Sequence, residues 1–191
     1  PFFGSIYRVR MRLESWFDAE SGSSVRYRET SFEKGEVSVK EYLLDLENGV
    51  VRELENGEQT DSFELHVRPV HDPLAFLFRA RQLLAPDDTP VVLNLIGSGK
   101  AAPVRVEVVK TRMVRTPLGR LPTDIAVPRT SDQMLFSREG EMEMWVSVDE
   151  PRTPYRIEFD LHFGSLKSKL ESVGTRPDVE TEADRNPAFD E

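Results

Sequence analysis

The segment Tyr7-Arg8-Val9-Arg10-Met11-Arg12-Leu13-Glu14 places apolar residues at its odd positions and charged residues at its even positions. A period of two indicates a β-strand with one buried and one solvated face. The basic row of Arg8, Arg10 and Arg12 suits the wet face of such a strand, and it also suits contact with lipid headgroups or an acidic partner. The opening of the chain therefore favours an antiparallel sheet with one solvated face.

The same strand-like pattern returns along most of the chain. Further strands are predicted at residues 25–30, 37–46, 50–55, 63–67, 91–96, 104–108, 125–127, 142–148, 155–163 and 166–173. The pairs Asn48-Gly49 and Asn56-Gly57 are typical of two-residue type I′ hairpin turns, in which both residues have positive φ. The fold predicted is mainly β, an antiparallel curved sheet, barrel or half-barrel of roughly ten or eleven strands.

One segment changes the period. Asp72 suits a helix N-cap and Pro73 the first helical position, and residues 74–84 then predict a helix of about three turns that packs in or across the sheet. Its apolar stripe carries Leu74, Leu77 and Phe78. The stripe either completes the core or closes an apolar cavity. In the second case the cavity is lined by seven candidate ligand-binding residues: Leu74, Leu77, Phe78, Trp16, Trp145, Tyr155 and Phe159.

Length and charge restrict the class of protein. The 191 residues suit one domain over residues 1–173, followed by an acidic tail at residues 174–191 that is predicted to be disordered. A net charge of −9 disfavours nucleic acid as a partner. No apolar run approaches the roughly 20 residues of a transmembrane helix. Because the chain begins at Pro1, we expect that a signal or anchor preceded it and was removed.

Catalytic motifs are not recognisable in the sequence. The turn at residues 97–100 lacks the first glycine and the final Ser or Thr of a phosphate-binding loop. His66, His71 and His162 have no metal-ligand spacing, and there is no cysteine and no Gly-x-Ser-x-Gly elbow. Carboxylates at residues 139, 141 and 143 lie on one strand face, which is typical of a solvent face. We therefore predict a protein that is not an enzyme and has no cofactor or metal.

Several motifs resemble a known family. Asp72-Pro73-Leu74 opens the helix, Thr116-Pro117-Leu118-Gly119 forms a turn, and a Trp-x-Ser-x-Asp-x-x-Arg-x-Pro stretch runs from Trp145 to Pro154. In this order they resemble bacterial domain-of-unknown-function family 3108, most strongly over residues 72–173. The resemblance implies an exported domain of the periplasm or outer membrane, similar in fold to the half-barrels of lipoprotein carriers that hold acyl chains. It implies no catalytic residues.

Three functions follow as hypotheses. The first is an envelope domain that binds a lipid, an acylated protein or another apolar ligand in a barrel-like cavity. The second is a structural or interaction module that meets an envelope protein partner through its strand edges. The third is an enzyme that uses paired carboxylates with raised pKa values.

Overall fold

A computed structural model describes residues 10–33, 35–84, 89–97, 99–130, 142–161 and 164–173. The predicted acidic tail, the start of the first predicted strand at residues 7–9, and His162 lie outside these residues. One antiparallel sheet, one mostly antiparallel sheet and one helix make up the described fold, so the predicted mainly β class is confirmed.

The first sheet is a meander of five strands, each hydrogen-bonded to the next in the order β1-β2-β3-β4-β5. Its strands are β1 (Arg10–Asp18), β2 (Ser23–Glu33), β3 (Glu36–Asp45), β4 (Val50–Glu55) and β5 (Glu58–Glu64). Sequential antiparallel pairing of this kind needs only short connections. Strand β1 therefore lies at an edge of the sheet.

The second sheet has seven strands in the order β12-β11-β10-β9-β8-β7-β6 and curls into a half-barrel. Its strands are β6 (Val70–His71), β7 (Val91–Gly97), β8 (Lys100–Thr116), β9 (Gly119–Arg129), β10 (Met142–Ser147), β11 (Pro154–Leu161) and β12 (Gly164–Lys169). Helix α1 (Pro73–Leu83) connects β6 to β7, which pair in parallel. A parallel pair needs a crossover of this kind, and that requirement explains the single helix among the described elements.

Two apolar clusters form the core, and β7 separates them. Leu95 belongs to the cluster between α1 and the half-barrel, together with Phe76 and Met144. The next residue, Ile96, belongs to the cluster between β7 and the five-stranded sheet, together with Tyr42. Successive side chains of a strand point to opposite faces, so the neighbouring residues Leu95 and Ile96 are both buried, each in a different cluster.

The two predicted hairpin turns differ. Asn56 and Gly57 both have positive φ, 51° and 87°, as a type I′ turn requires. Asn48 does not, and only Gly49 has positive φ, so the prediction of a second type I′ turn is wrong. Residues 46–49 form a longer loop because the Asp45 carboxylate accepts hydrogen bonds from the backbone and side-chain nitrogens of Asn48.

Strand boundaries also depart from the prediction. Strand β5 begins at Glu58, five residues before the predicted start, because the Asn56-Gly57 turn pairs Glu55 directly with Glu58. The described residues hold twelve strands, and the two-residue β6 is too short to show a period. No helix in the described part of the chain is long and apolar enough to cross a bilayer.

Candidate functional site

Helix α1 begins at a fully buried aspartate. Asp72 has an extended backbone, and its Oδ1 accepts hydrogen bonds from the backbone N–H groups of Leu74 at 2.8 Å and Ala75 at 2.9 Å. A helix start leaves such N–H groups without partners inside the helix. Pro73 takes the first helical position, where no N–H is needed. The predicted N-cap is confirmed.

The second carboxylate oxygen of Asp72 connects the helix to the five-stranded sheet. Its Oδ2 accepts hydrogen bonds from Ser15 Oγ at 2.6 Å and Ser24 Oγ at 2.7 Å. Ser24 Oγ also accepts a hydrogen bond from the Asp72 backbone N–H at 2.9 Å. The buried carboxylate thus accepts four hydrogen bonds, which offset the cost of removing it from water. They hold β1 against the start of α1.

His71 is buried beside this carboxylate. Its Nδ1 lies 3.3 Å from the backbone oxygen of Asn94, and its ring stacks on Phe17 at 6.4 Å between centroids. Burial lowers the pKa of His71, with a further lowering by Arg79, and the hydrogen bond to Asn94 and the charge of Asp72 oppose the shift only in part. His71 is therefore a neutral packing residue near neutral pH.

An apolar groove runs between β1 and α1, and we call it the β1–α1 groove. Its volume is about 320 Å³, and it opens at the surface. Phe17 of β1 forms one wall and Phe78 of α1 the other, and these side chains are 45% and 50% exposed. The complete lining is Ser15, Phe17, Leu74, Ala75, Phe78, Arg79 and Gln82.

A smaller groove lies on the other side of the helix, and we call it the α1–β11 groove. Its volume is about 120 Å³. Leu74 and Phe78 line both grooves and so form the ridge between them. The complete lining is Leu74, Leu77, Phe78, Arg81, Met144, Pro154 and Ile157.

The Trp-x-Ser-x-Asp-x-x-Arg-x-Pro stretch forms a hydrogen-bonded turn between β10 and β11. Ser147 Oγ donates to the Asp149 backbone oxygen at 2.8 Å and accepts from the Thr153 N–H at 2.8 Å. Arg152 is buried, and its guanidinium reaches Asp124 of β9 at 2.6 Å. The described contacts of this motif therefore hold the turn together and connect it to β9.

Helix α1 contacts this turn directly. Arg81 Nη1 donates to the backbone oxygens of Pro151 at 2.9 Å and Arg152 at 3.2 Å. Since Arg81 also lines the α1–β11 groove, the turn holds one wall of that groove in place.

The seven predicted ligand-binding residues do not form one group. Leu74, Leu77 and Phe78 line the grooves. Trp16 lines neither groove, because strand alternation turns it away from Ser15 and Phe17 and under the Arg26 guanidinium, 4.7 Å from the ring centroid.

The remaining aromatic candidates also lie apart from both grooves. Trp145 stacks with Arg156 at 4.6 Å and donates its Nε1–H to Glu143 at 3.0 Å. Tyr155 is buried, and that burial raises its pKa. Phe159 is in β11, but its side chain lies outside the described structure. A ligand-binding role for these residues stays a prediction.

Phe17, which forms the outer wall of the larger groove, is not among the predicted ligand-binding residues. A signal for it was present. Met11, Leu13, Ser15 and Phe17 occupy odd positions on β1, and Ser15 pairs across the strands with the buried Tyr27. The face that carries Phe17 was therefore deducible, but its approach to the helix depends on how the two sheets dock.

The paired-carboxylate hypothesis finds little support in the described residues. Glu143 lies directly across the strands from Glu158, while the other two carboxylates of the predicted row, at 139 and 141, lie outside the described residues. Burial favours a raised pKa for Glu158, but hydrogen bonds from Lys167 and Arg156 outweigh it and lower the pKa. A lowered pKa suits an ion pair rather than a general acid.

The described residues contain no cluster of side chains that could bind a metal ion. No group of three or more His, Asp or Glu side chains there could hold a metal ion. His66 is exposed beside Glu64, and His71 is buried under Phe17. Nothing in the described residues indicates catalytic activity.

Comparison with known proteins places the chain in a family. No curated protein and no solved structure shows significant similarity to it. A family model described as a protein of unknown function, DUF3108, matches residues 1–171, which include both sheets, the helix and the turn after β10. The chain therefore belongs to the DUF3108 family.

Proposed function

We propose that this domain is a non-enzymatic binding protein that holds one apolar chain, such as an acyl chain of a lipid or of an acylated protein, in the β1–α1 groove. The groove volume of about 320 Å³ is at the lower end of the range for ligand pockets. It suits a single chain rather than a whole phospholipid. An exported, envelope-associated location is part of this proposal.

The observation that carries the proposal is the exposure of two phenylalanines on facing walls. Phe17 is 45% exposed and Phe78 is 50% exposed, and both line the groove. Covering the exposed half of each ring would contribute roughly 1 kcal/mol. An apolar chain between them would cover both rings at once.

The groove lining also includes polar side chains that suit the head of an amphiphile. Arg79 and Gln82 line it, and Arg79 Nη1 lies 3.4 Å from Gln82 Oε1. This contact is long and exposed, so the guanidinium is available to a ligand carboxylate or phosphate. The preferred ligand is therefore an apolar chain with an anionic end.

Support also comes from the rigidity of the groove walls. Ser15 and Leu74 both donate hydrogen bonds to Asp72, whose carboxylate joins β1 and β2 to the start of α1. A pre-formed site loses little conformational entropy on binding.

The test is a fluorescence titration with dansyl-undecanoic acid, followed by native mass spectrometry with dodecanoate. Phe78→Gln keeps a good helix former but removes the apolar wall, and we expect it to weaken binding about tenfold. Ala75→Leu adds bulk inside the groove and should also weaken binding.

The matched control is Val92→Thr. Val92 is an exposed apolar residue of β7 that lines neither groove, and the substitution preserves its shape. We expect its affinity for the probe to equal that of the unchanged protein. If all three variants bind alike, or if the unchanged protein takes up no probe, the groove is not the site and the interaction-module hypothesis takes precedence.

A further inference from the structure

The hairpin of β8 and β9 extends beyond the half-barrel. Strand β7 pairs with β8 only as far as Val106, and β10 pairs with β9 only as far as Thr123. Beyond those points β8 and β9 pair only with each other among the described strands. We call residues 110–122 the distal ribbon. A two-stranded ribbon without a third strand has two open faces and two open edges.

The distal ribbon is basic in an acidic chain. It contains Lys110, Arg112, Arg115 and Arg120 and no Asp or Glu, so it carries +4. The whole chain carries −9, which leaves −13 for the rest. The distal ribbon is therefore a basic segment of an acidic chain, and such a segment attracts anionic surfaces.

Two of these cations are placed side by side. Arg115 and Arg120 are direct cross-strand partners, an arrangement that like charges make unfavourable. Both line a surface concavity of about 470 Å³ at the end of the ribbon. Within the described part of the chain, no carboxylate lies within 4.0 Å of any of the four ribbon cations.

Apolar side chains accompany the charge. Leu118 at the tip and Met113 on β8 are each 53% exposed. The tip is ordered, because Thr116 Oγ1 donates to the Gly119 oxygen at 3.0 Å and accepts from the Leu118 N–H at 3.1 Å. It therefore presents Leu118 just beyond the Arg115 and Arg120 pair.

We propose that the distal ribbon docks the domain on an anionic membrane surface. The arginines contact lipid phosphates, and Leu118 enters the boundary between headgroups and acyl chains. The apolar tip favours a membrane as the partner of the distal ribbon. An acidic protein segment would bind the cations but would leave Leu118 exposed. This docking surface is separate from the β1–α1 groove and does not depend on it.

The test is co-sedimentation of the full chain with phosphatidylcholine vesicles that contain about one third phosphatidylglycerol, compared with vesicles of phosphatidylcholine alone. We expect binding only to the anionic vesicles, with a loss as salt is raised. Arg115→Gln combined with Arg120→Gln should lower the partition coefficient roughly 25-fold, at about fivefold per charge. Leu118→Ser, which keeps every charge, should lower it about tenfold.

A matched control exists on the same two strands. Arg105 and Arg129 are also direct cross-strand partners and are each 58% exposed, but both pair with Glu107. Arg105→Gln combined with Arg129→Gln makes the same change in net charge away from the distal ribbon. We expect less than about a threefold change in partitioning. An equal loss in both double variants would show that net charge alone matters and would overturn the proposal.

Two other outcomes would also overturn it. One is the absence of binding to anionic vesicles at low salt. The other is binding of polyglutamate with the same dependence on Arg115 and Arg120 but no binding to vesicles, which would assign the ribbon to an acidic protein partner. Because the Gln variants remove a like-charge pair and Leu118 is exposed, urea unfolding should show intact folding in every variant.

Discussion

Asp72 is the residue on which the local architecture most depends. Its carboxylate caps α1 through Leu74 and Ala75 and accepts both serine hydroxyls from the five-stranded sheet. One side chain thus both caps the helix and connects it to the five-stranded sheet, whereas the sequence pattern indicates only the cap. Loss of the carboxylate leaves buried polar groups on three elements without partners.

We expect Asp72→Ala to lower the free energy of unfolding by about 3 kcal/mol, from the lost cap and the unsatisfied hydroxyls. Asp72→Asn should cost less, because its amide oxygen can still cap the helix. Urea denaturation measures both. Glu20→Ala, on an exposed turn, is the control and should stay within about 0.5 kcal/mol of the unchanged protein. A loss for Asp72→Ala as small as that of the control would contradict the double role.

His71 makes stability depend on pH. Burial lowers its pKa in the folded protein, whereas the unfolded chain keeps the ordinary value near 6.5. Between those two values the unfolded chain binds a proton that the folded protein does not. The free energy of unfolding therefore rises with pH across this window, by up to about 1.4 kcal/mol per pH unit, and is level above it.

The measurement is urea unfolding at several pH values from neutral downward. His71→Gln should flatten the slope below pH about 6.5, and His66→Gln, at an exposed position, should not. Asp18 and Asp45 have folded-state pKa values below 3.8. Their contribution to the free energy of unfolding is therefore lost at a lower pH than the contribution of His71. An unchanged slope in His71→Gln would show that another group is responsible.

At the scale of elements, the turn between β10 and β11 brings together parts that are distant in sequence. Arg152 reaches Asp124 on β9, Asp124 accepts a hydrogen bond from Thr111 Oγ1 on β8 at 2.6 Å, and Arg81 of α1 donates to the turn. The base of the distal ribbon and the wall of the α1–β11 groove are thereby parts of one hydrogen-bonded network. Networks of this kind give energies that are not additive.

We expect Arg152→Met to lower the free energy of unfolding by about 3–5 kcal/mol, because it leaves the buried Asp124 carboxylate without its partner. Arg152→Met combined with Asp124→Asn should cost less than the sum of the single changes, with a coupling above about 1 kcal/mol in a double-mutant cycle. The exposed pair of Arg12 and Glu14 is the comparison and should couple by less than about 0.5 kcal/mol. If the costs of the Arg152 and Asp124 substitutions were additive, the coupling energy would be zero, and the ion pair itself would contribute nothing to the free energy of unfolding.

At the scale of the whole molecule, the distal ribbon lies outside both core clusters. None of its side chains belongs to either cluster. Arg112 and Thr123 are direct cross-strand partners, so the two residues of a type I′ turn can connect them. The fold should therefore tolerate the loss of the ribbon.

We expect replacement of residues 113–122 by Asn-Gly to leave the protein folded, with a free energy of unfolding within about 1 kcal/mol of the original. Circular dichroism and urea denaturation give the result. The shortened protein should still bind dansyl-undecanoic acid, since the β1–α1 groove does not include the ribbon. A loss of cooperative unfolding would show that the ribbon supports the core.

The mainly β fold and the start of the helix were predictable because they rest on local rules. Alternation over the first strand, the positive φ values of Asn56-Gly57 and the Asp72-Pro73 helix start each depend on a few neighbouring residues. The strand β6 and the full length of β8 were missed. Two residues show no period, and the outer part of β8 is solvated on both faces and so lacks a clear alternation.

The sequence by itself determined the mainly β class, most strand positions, and the helix and its cap. The tertiary structure alone decided that Phe17 rather than Trp16 lines the groove beside the helix, that Arg152 pairs with Asp124, and that the distal ribbon extends beyond the neighbouring strands. Periodicity and capping are properties of neighbouring residues, whereas these three arrangements depend on the docking and register of strands far apart in the chain.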